Sequence, residues 1–141
     1  MMVNQALVTA AKFGFQRPYP HRYLPENTTE PQPLDFLSFY SGHTSTVVSF
    51  LSAYAMTVQY REGQALWPWI FTAVAGSSVA HELVKAGEHY PTDVIVGALV
   101  GTGIGIAIPA LHHRNRNEET PYRIEPIASA QGFGLRWKLN F

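Results

Sequence analysis

Three long uncharged segments constrain the fold of this chain more than any other feature. They run from Thr44 to Tyr60, from Gly63 to Ala80 and from Val94 to Leu111, and contain seventeen, eighteen and eighteen residues. At about 1.5 Å of rise per residue, eighteen helical residues extend roughly 27 Å, close to the thickness of a hydrocarbon core. Each segment is therefore predicted to form a helix long enough to cross a bilayer.

The overall composition agrees with a membrane setting and excludes several function classes. Asp, Glu, Lys and Arg make up only 14% of the 141 residues, whereas they make up about 25% of typical soluble chains. Ten basic and ten acidic residues balance to zero net charge, which argues against a nucleic-acid partner. The absence of cysteine excludes disulfide scaffolds, thiolate zinc sites and cysteine nucleophiles.

Residue patterns in and around the uncharged segments favour packed membrane helices. Tyr60, Trp67 and Trp69 gather where the first two segments approach each other, as in an aromatic belt at a membrane surface. Small residues that recur every four positions let helix backbones approach closely in lipid. In the third segment these are Gly97, Gly101 and Gly105. The hydroxyl residues of the first segment keep a second interpretation open, in which the three helices form the core of a soluble bundle.

We therefore expect an all-α fold, a membrane-embedded bundle of three transmembrane helices with part of a further helix at the N-terminus. This helical domain would cover residues 1–114, with a proline-rich irregular loop at residues 16–41. Residues 115–141 form a polar tail that ends in apolar residues with a period of two, which predicts a short strand. The alternating residues are Phe133, Leu135, Trp137, Leu139 and Phe141.

Two antiparallel crossings would bring two distant histidine motifs to one face of the membrane. His43 precedes the first uncharged segment, and His89 lies between the second and the third. Basic residues near the ends of membrane helices tend to remain in the cytoplasm. Because Arg61, Arg114 and Arg116 fall at the opposite face, we expect the histidine face to be extracytoplasmic.

The residues at that face suit phosphoryl transfer without a metal or another cofactor. His89 and Asp93 are four residues apart, so the carboxylate can fix the tautomer of the imidazole and stabilise its cationic form. A neutral imidazole oriented in this way can attack phosphorus and form a covalent intermediate. His43 could protonate the leaving oxygen and later activate water. Gly42 and the amide groups of a helix N-terminus behind it suit an anion.

These motifs resemble the type-2 phosphatidic acid phosphatases, which share a superfamily with the vanadium haloperoxidases. The family pattern is Lys, six residues, Arg-Pro; then Pro-Ser-Gly-His; then Ser-Arg, five residues, His, three residues, Asp. Here the second block reads Tyr40-Ser41-Gly42-His43, and the third ends at His89 and Asp93. The resemblance implies that His89 is the nucleophile, His43 the acid and base, and Asp93 the orienting partner.

The first block and the start of the third depart from the family pattern. Counting from Lys12 puts Tyr19 at the place of the first arginine, and counting back from His89 puts Leu83 at the place of the second. A lysine or tyrosine cannot copy the bidentate fork of a guanidinium, so we expect weaker phosphate binding. The phosphate-binding residues that we predict are Lys12, Ser41, Gly42, Arg17 and Lys85. The family usually has six membrane helices, so we expect this chain to be a divergent or truncated member.

The sequence thus predicts a phosphatase that hydrolyses a phosphate monoester or diphosphate, on a lipid or another phosphorylated small molecule, through a phosphohistidine. One alternative is a membrane protein that keeps the fold but has lost turnover. A second is a haloperoxidase-like protein that binds vanadate. The segment from His81 to Lys85 begins like a zinc-protease helix, but Lys85 stands where the second histidine ligand is required, which excludes that class. The oligomeric state is left open.

Overall fold

The computed structural model describes residues 2–24, 30–116, 122–129 and 132–139. The chain forms two compact units, Met1–Leu111 and His112–Phe141. Four α-helices dominate the described residues: α1 (Met2–Phe15), α2 (Gly42–Glu62), α3 (Leu66–Lys85) and α4 (Pro91–Arg116). Two single 3₁₀ turns, Pro20–Tyr23 and Pro33–Phe36, interrupt the proline-rich loop between α1 and α2. The helical prediction for the first unit is confirmed.

The second unit contains an antiparallel hairpin, which the sequence analysis anticipated only in part. Strand β1 (Tyr122–Ser129) pairs with β2 (Gly132–Leu139) in a register that runs from Tyr122 opposite Leu139 to Ser129 opposite Gly132. Four of the five alternating apolar residues belong to β2, and Phe141 lies outside the described residues. No pattern predicted β1.

Local signals set the ends of the helices that border the site. The Ser41 hydroxyl accepts a hydrogen bond from the Thr44 amide at 3.4 Å, which caps the start of α2. Gly63 ends the same helix in the left-handed region, at φ 78°, and its amide donates to the Gln59 carbonyl. At the start of α4, Pro91 takes the first helical position and Asp93 accepts the Tyr90 amide at 3.1 Å. These caps fix where the two histidine motifs begin.

The glycines of α4 lie directly against α2. A methyl group added at Gly97 would come within 2.7 Å of the Ser41 carbonyl oxygen, and one at Gly101 within 2.5 Å of the Ser45 carbonyl oxygen. At Gly105 it would meet the Ser49 carbonyl oxygen at 2.6 Å. No side chain fits in these gaps, so the predicted close approach of helix backbones is confirmed.

The helical unit has a polar interior and an apolar surface. Most of its fully buried side chains carry hydroxyl or carboxylate groups, namely Thr44, Asp93, Ser38, Ser41, Ser45 and Ser52. Large apolar side chains point outward instead: Trp67 is 77% exposed, Leu99 68% and Phe50 63%. The arrangement is the one expected where lipid surrounds the helices.

One helix among the described residues, over Pro91–His113, is long and apolar enough to cross a membrane by its length and composition. It belongs to α4 and contains the third uncharged segment. Helix α2 contains the first segment, whereas α3 begins at Leu66 and contains the second segment only from Leu66 to Ala80. Neither of these two helices reaches the hydropathy of α4. The expectation of three membrane spans therefore stays a prediction.

Candidate active site

The site forms where the loop after α1, the start of α2 and the start of α4 meet. The Ser41 amide donates to the Asp93 carbonyl at 3.1 Å, and the Ser38 amide donates to the Arg17 carbonyl at 3.0 Å. The loop also reaches the turn between α3 and α4, because the His21 amide donates to the Gly87 carbonyl at 3.2 Å. These backbone bonds bring the two histidine motifs to one end of the bundle.

Asp93 is the most highly connected side chain of the site. It is fully buried, and both carboxylate oxygens accept hydrogen bonds. Oδ1 accepts from Arg17 Nη1 at 2.7 Å, while Oδ2 accepts from Ser38 Oγ at 2.6 Å and from the Tyr90 amide at 3.1 Å. A buried carboxylate is costly unless its charge is paired and hydrogen-bonded. Here the guanidinium, the hydroxyl and the helix N-terminus together stabilise it.

His89 lies beside this carboxylate, with only 4% of the residue exposed. Its Nδ1 is 3.6 Å from Asp93 Oδ2 and 3.5 Å from Ser38 Oγ. Burial lowers the pKa of the His89 imidazole, and the nearby Asp93 carboxylate opposes that shift. The imidazole is therefore neutral at pH 7. Two oxygens near Nδ1 favour the tautomer with its proton there, which leaves a lone pair on Nε2.

Arg17 is held against Asp93 and its neighbours in α4. Its Nη1 also donates to Thr92 Oγ1 at 2.7 Å, and its guanidinium carbon lies 3.9 Å from the centre of the Tyr90 ring. The Arg17 side chain is 34% exposed. A guanidinium has five N–H donors, so the two bonds through Nη1 leave capacity for an anion. Arg17, which we expected at the phosphate, thus contacts the Asp93 carboxylate.

Lys12 and Tyr19 border the other side of His89. Lys12 Nζ donates to the Leu37 carbonyl at 2.6 Å and to the Tyr19 hydroxyl at 3.4 Å. The Tyr19 ring lies 5.8 Å from the His89 ring, centre to centre, at an angle of 56°. Burial raises the pKa of the Tyr19 phenol, and the charges of Glu88 and Asp93 add to the shift. At the register of the first family arginine the chain therefore presents a neutral phenol beside the imidazole.

His43 occupies the first turn of α2 and is exposed. It lines a cavity of about 310 Å³ together with Lys12, Gly42 and residues of α1 and α2, namely Gln5, Val8, Thr46 and Val47. Lys12 also lies close enough to His89 for its charge to lower the pKa of that imidazole. The ammonium group thus lies near both His89 and the cavity of His43.

The remaining predicted phosphate-binding residues have different surroundings. Ser41 is buried, and its hydroxyl contacts Thr44 Oγ1 at 3.0 Å. Gly42 packs under α1, because an added methyl group would lie 3.1 Å from Val8 Cγ1. Lys85 lies in the last turn of α3 and is exposed. The close packing against Val8 favours glycine at position 42, which the sequence did not indicate.

Ser38 and Thr92 are site residues that the sequence analysis missed. Ser38 contacts Asp93 across 55 residues of chain, and Thr92 contacts Arg17 across 75. A lone serine in a proline-rich loop carries no signal of such a contact. Within the part of the chain that the structure describes, no group of three His, Asp or Glu side chains is arranged to hold a metal ion.

Comparison with known proteins places both histidine motifs within one known family. The model of the PAP2 superfamily matches residues 1–117. The chain belongs to the PAP2 superfamily, which confirms the resemblance drawn from its histidine motifs.

A curated relative is an undecaprenyl-diphosphatase of Sulfolobus acidocaldarius, which is 35% identical over 80 residues. That alignment covers 57% of this chain and 35% of the relative, so the chain matches about a third of the relative's length. No solved structure matches the chain.

Proposed function

We propose that this protein hydrolyses a phosphate monoester or diphosphate carried by a lipid, through a phosphohistidine at His89. The observation that carries the proposal is the burial of His89, whose Nδ1 lies within 3.6 Å of two oxygens, one of them from Asp93. Burial lowers the pKa of this imidazole, which favours its neutral form. A neutral imidazole with Nδ1 directed to a carboxylate is the form that attacks phosphorus from Nε2. Membership of the PAP2 superfamily supports the same reaction class.

The reaction would proceed in two displacements. The Nε2 lone pair of His89 forms a bond to phosphorus, the bond between phosphorus and the leaving oxygen breaks, and His43 gives that oxygen a proton. His43 then takes a proton from water, whose oxygen attacks phosphorus while the N–P bond breaks. Inorganic phosphate leaves, and the bonding electrons return to Nε2. Asp93 stabilises the cationic ring that exists between the two steps.

Two cations are available for the phosphate oxygens. Lys12 borders both the cavity of His43 and the surroundings of His89, and Arg17 retains N–H groups beyond those on Asp93 and Thr92. We assign Ser41 and Gly42 to the same anion site, because they begin α2 and the amides of a helix start are a favourable place for an anion. Lys85 remains a more remote candidate at the end of α3.

A lipid substrate is supported by the shape and polarity of the surface next to His43. The cavity of His43 and Lys12 shares Thr46 and Val47 with a second cavity of about 320 Å³. The second cavity is lined otherwise by Phe50, Leu51, Phe71 and Ala75. A charged end followed by an apolar groove suits an amphiphile whose phosphate lies at the histidines. The exposed apolar side chains and the length and hydropathy of α4 support an integral membrane location. We propose an extracytoplasmic site from the basic residues at the opposite helix ends.

The test is phosphate release by the purified protein in detergent. The name of the curated relative makes a polyprenyl diphosphate the first substrate to test, with phosphatidic acid as a second. We expect turnover with at least one of them and its loss in His89→Ala. Ser52→Ala is the control. Ser52 is buried, like His89, but lies in α2, and its hydroxyl has no partner among the described residues. Equal activity of the wild type and His89→Ala would contradict the proposal.

The competing proposal is a family member that keeps the fold without turnover. It is favoured by the absence of arginine at both family registers, where Tyr19 and Leu83 stand instead. The same assay separates the two, because a protein of this second kind releases no phosphate from either lipid. Stable binding of vanadate, followed by oxidation of a halide when hydrogen peroxide is added as the oxidant, would instead favour the haloperoxidase alternative.

A further inference from the structure

Ser38 is a buried serine that lies outside the family motifs and takes no part in the bond changes of the proposed reaction. It lies in the loop between the 3₁₀ turn Pro33–Phe36 and α2, and it is fully buried. Its amide is fixed by the Arg17 carbonyl at 3.0 Å. The backbone of Ser38 is therefore fixed against the loop after α1.

The hydroxyl of Ser38 lies between the two residues that define the nucleophile. It donates to Asp93 Oδ2 at 2.6 Å, and its oxygen is 3.5 Å from His89 Nδ1. A hydroxyl has one proton to donate, so this oxygen offers lone pairs, not a hydrogen, to Nδ1. Asp93 Oδ2 is itself 3.6 Å from Nδ1, beyond ordinary hydrogen-bond length. His89 thus faces two acceptor oxygens at nearly equal distance.

We propose that Ser38 is a positioning residue that holds Asp93 Oδ2 and presents a second acceptor to His89 Nδ1, so that His89 and Asp93 act with Ser38 as a three-membered unit. The inference rests on the proposed role of His89 as nucleophile. In this unit the serine proton partly neutralises the carboxylate charge that His89 experiences. The serine oxygen keeps the proton of the imidazole on Nδ1 and leaves Nε2 free.

This arrangement balances two opposing needs of the nucleophile. A bare carboxylate next to an imidazole favours the protonated ring, which has no lone pair for attack. A carboxylate that is too distant would not stabilise the cationic phosphohistidine. Other groups around His89 are Lys12 from α1, Glu88 from the preceding turn and the Tyr19 ring from the loop. Arg17 lies on the far oxygen of Asp93, and His21 stacks on Tyr19. Of all these groups, Ser38 alone is found to bridge His89 and Asp93 among the described residues.

The proposal predicts a change in both the rate and the pH profile when the hydroxyl is removed. In Ser38→Ala the carboxylate loses a donor, so its field at Nδ1 strengthens and the pKa of His89 rises. The acid limb of kcat/KM should then move to higher pH, and kcat should fall about 10- to 100-fold, the effect of losing one hydrogen bond to a charged group. Ser52→Ala, the same change at another buried serine, should leave the rate and the pH profile unchanged.

Two further variants keep the test decisive if Ser38→Ala folds poorly. Ser38→Cys preserves the size of the side chain but donates only weakly, so it should behave like Ser38→Ala. Ser38→Thr retains the hydroxyl and should restore the wild-type pH profile. An unchanged pH profile in both Ser38→Ala and Ser38→Cys would overturn the proposal, as would an equal shift in Ser52→Ala.

The titration of His89 can also be followed without turnover, by NMR of protein labelled with ¹⁵N-histidine. Its resonances are assigned by their loss in His89→Asn. We expect the Nδ1–H tautomer in the wild type and a higher midpoint in Ser38→Ala. If the wild type shows this behaviour but releases no phosphate, the proposed function fails and the role of Ser38 stands. If phosphate is released but Ser38→Ala leaves the tautomer and midpoint unchanged, the role of Ser38 fails alone.

Discussion

The surroundings of His89 and those of His43 differ in burial and in the number of hydrogen bonds that fix them. On one side, His89 is 4% exposed and lies against a carboxylate that accepts hydrogen bonds from Arg17, Ser38 and Tyr90. On the other, His43 is exposed and borders an open-sided cavity with Lys12. A nucleophile requires one tautomer and one orientation, whereas an acid and base must reach the leaving group and then water. The difference between the two histidines matches this division of labour.

Substitution of Asp93, beside His89, should cause the largest loss of activity. In Asp93→Asn the amide can direct an N–H toward Nδ1, which favours the wrong tautomer, and it cannot stabilise the cationic ring. We expect kcat to fall by about 10³- to 10⁴-fold, with unfolding at a lower temperature because Arg17 loses its partner. Steady-state kinetics and thermal unfolding in detergent measure the two effects. A loss of less than tenfold in kcat would show that the carboxylate does not support the nucleophile.

The loss of activity on substitution of His43 should depend on the leaving group of the substrate. His43→Gln removes a proton donor, and we expect kcat to fall by about 10²- to 10³-fold on an alkyl phosphate. On an aryl phosphate such as p-nitrophenyl phosphate, the leaving oxygen needs little protonation, so the loss in the first step should be much smaller. Burst kinetics with the two substrates measure this difference. Equal losses of burst rate on both would argue against His43 as the general acid.

His43→Gln also shows whether the pH dependence of kcat/KM comes from His89 or from His43. Burial lowers the pKa of His89 below 6.5, the ordinary value for histidine, and only the neutral ring attacks. We therefore expect kcat/KM to fall about tenfold per pH unit below the pKa of His89. The same acid limb should persist in His43→Gln, because it belongs to His89. A limb that lies above pH 6.5, or that vanishes in this variant, would contradict this assignment.

Packing of α4 on α2 should affect stability alone. Gly101→Ala would force a methyl group to within 2.5 Å of the Ser45 carbonyl oxygen, and overpacking of this kind costs about 1–3 kcal/mol. Gly103→Ala is the matched control, since nothing lies within 4 Å of its added methyl group. We expect that control to be neutral or more stable by up to about 1 kcal/mol. Unfolding in denaturant compares them, and equal stabilities would show that the helices do not touch as described.

The features that the sequence predicted are those that repeat or match a motif. The glycines at intervals of four predicted the contact between α4 and α2, and the two histidine motifs identified the family. Uncharged length predicted helices α2 to α4, but among the described helices hydropathy supports a membrane span in α4 alone. In α2 the many hydroxyl residues lower the hydropathy. A segment without charged residues therefore predicts a membrane span less reliably than a segment without polar residues.

The features that could not be predicted depend on single contacts between distant residues. Arg17 was expected at the phosphate, but its Nη1 contacts Asp93, 76 positions away. Tyr19 was noted as a missing arginine, yet its ring packs beside His89. Ser38 belongs to no motif or period. Such contacts follow from the course of the loop after α1, which proline content marks as irregular without giving its path.

Direct detection of the covalent intermediate tests the central claim most closely. The protein is mixed with a substrate labelled with ³²P at the terminal phosphate, quenched in alkali, where phosphohistidine survives, and digested for mass spectrometry. With an aryl phosphate, whose leaving oxygen needs little protonation, His43→Gln should increase the trapped label, because that variant activates water poorly. We expect phosphate on His89 in the wild type and none in His89→Ala. Label on another residue, or turnover with no trapped phosphate in either protein, would contradict it.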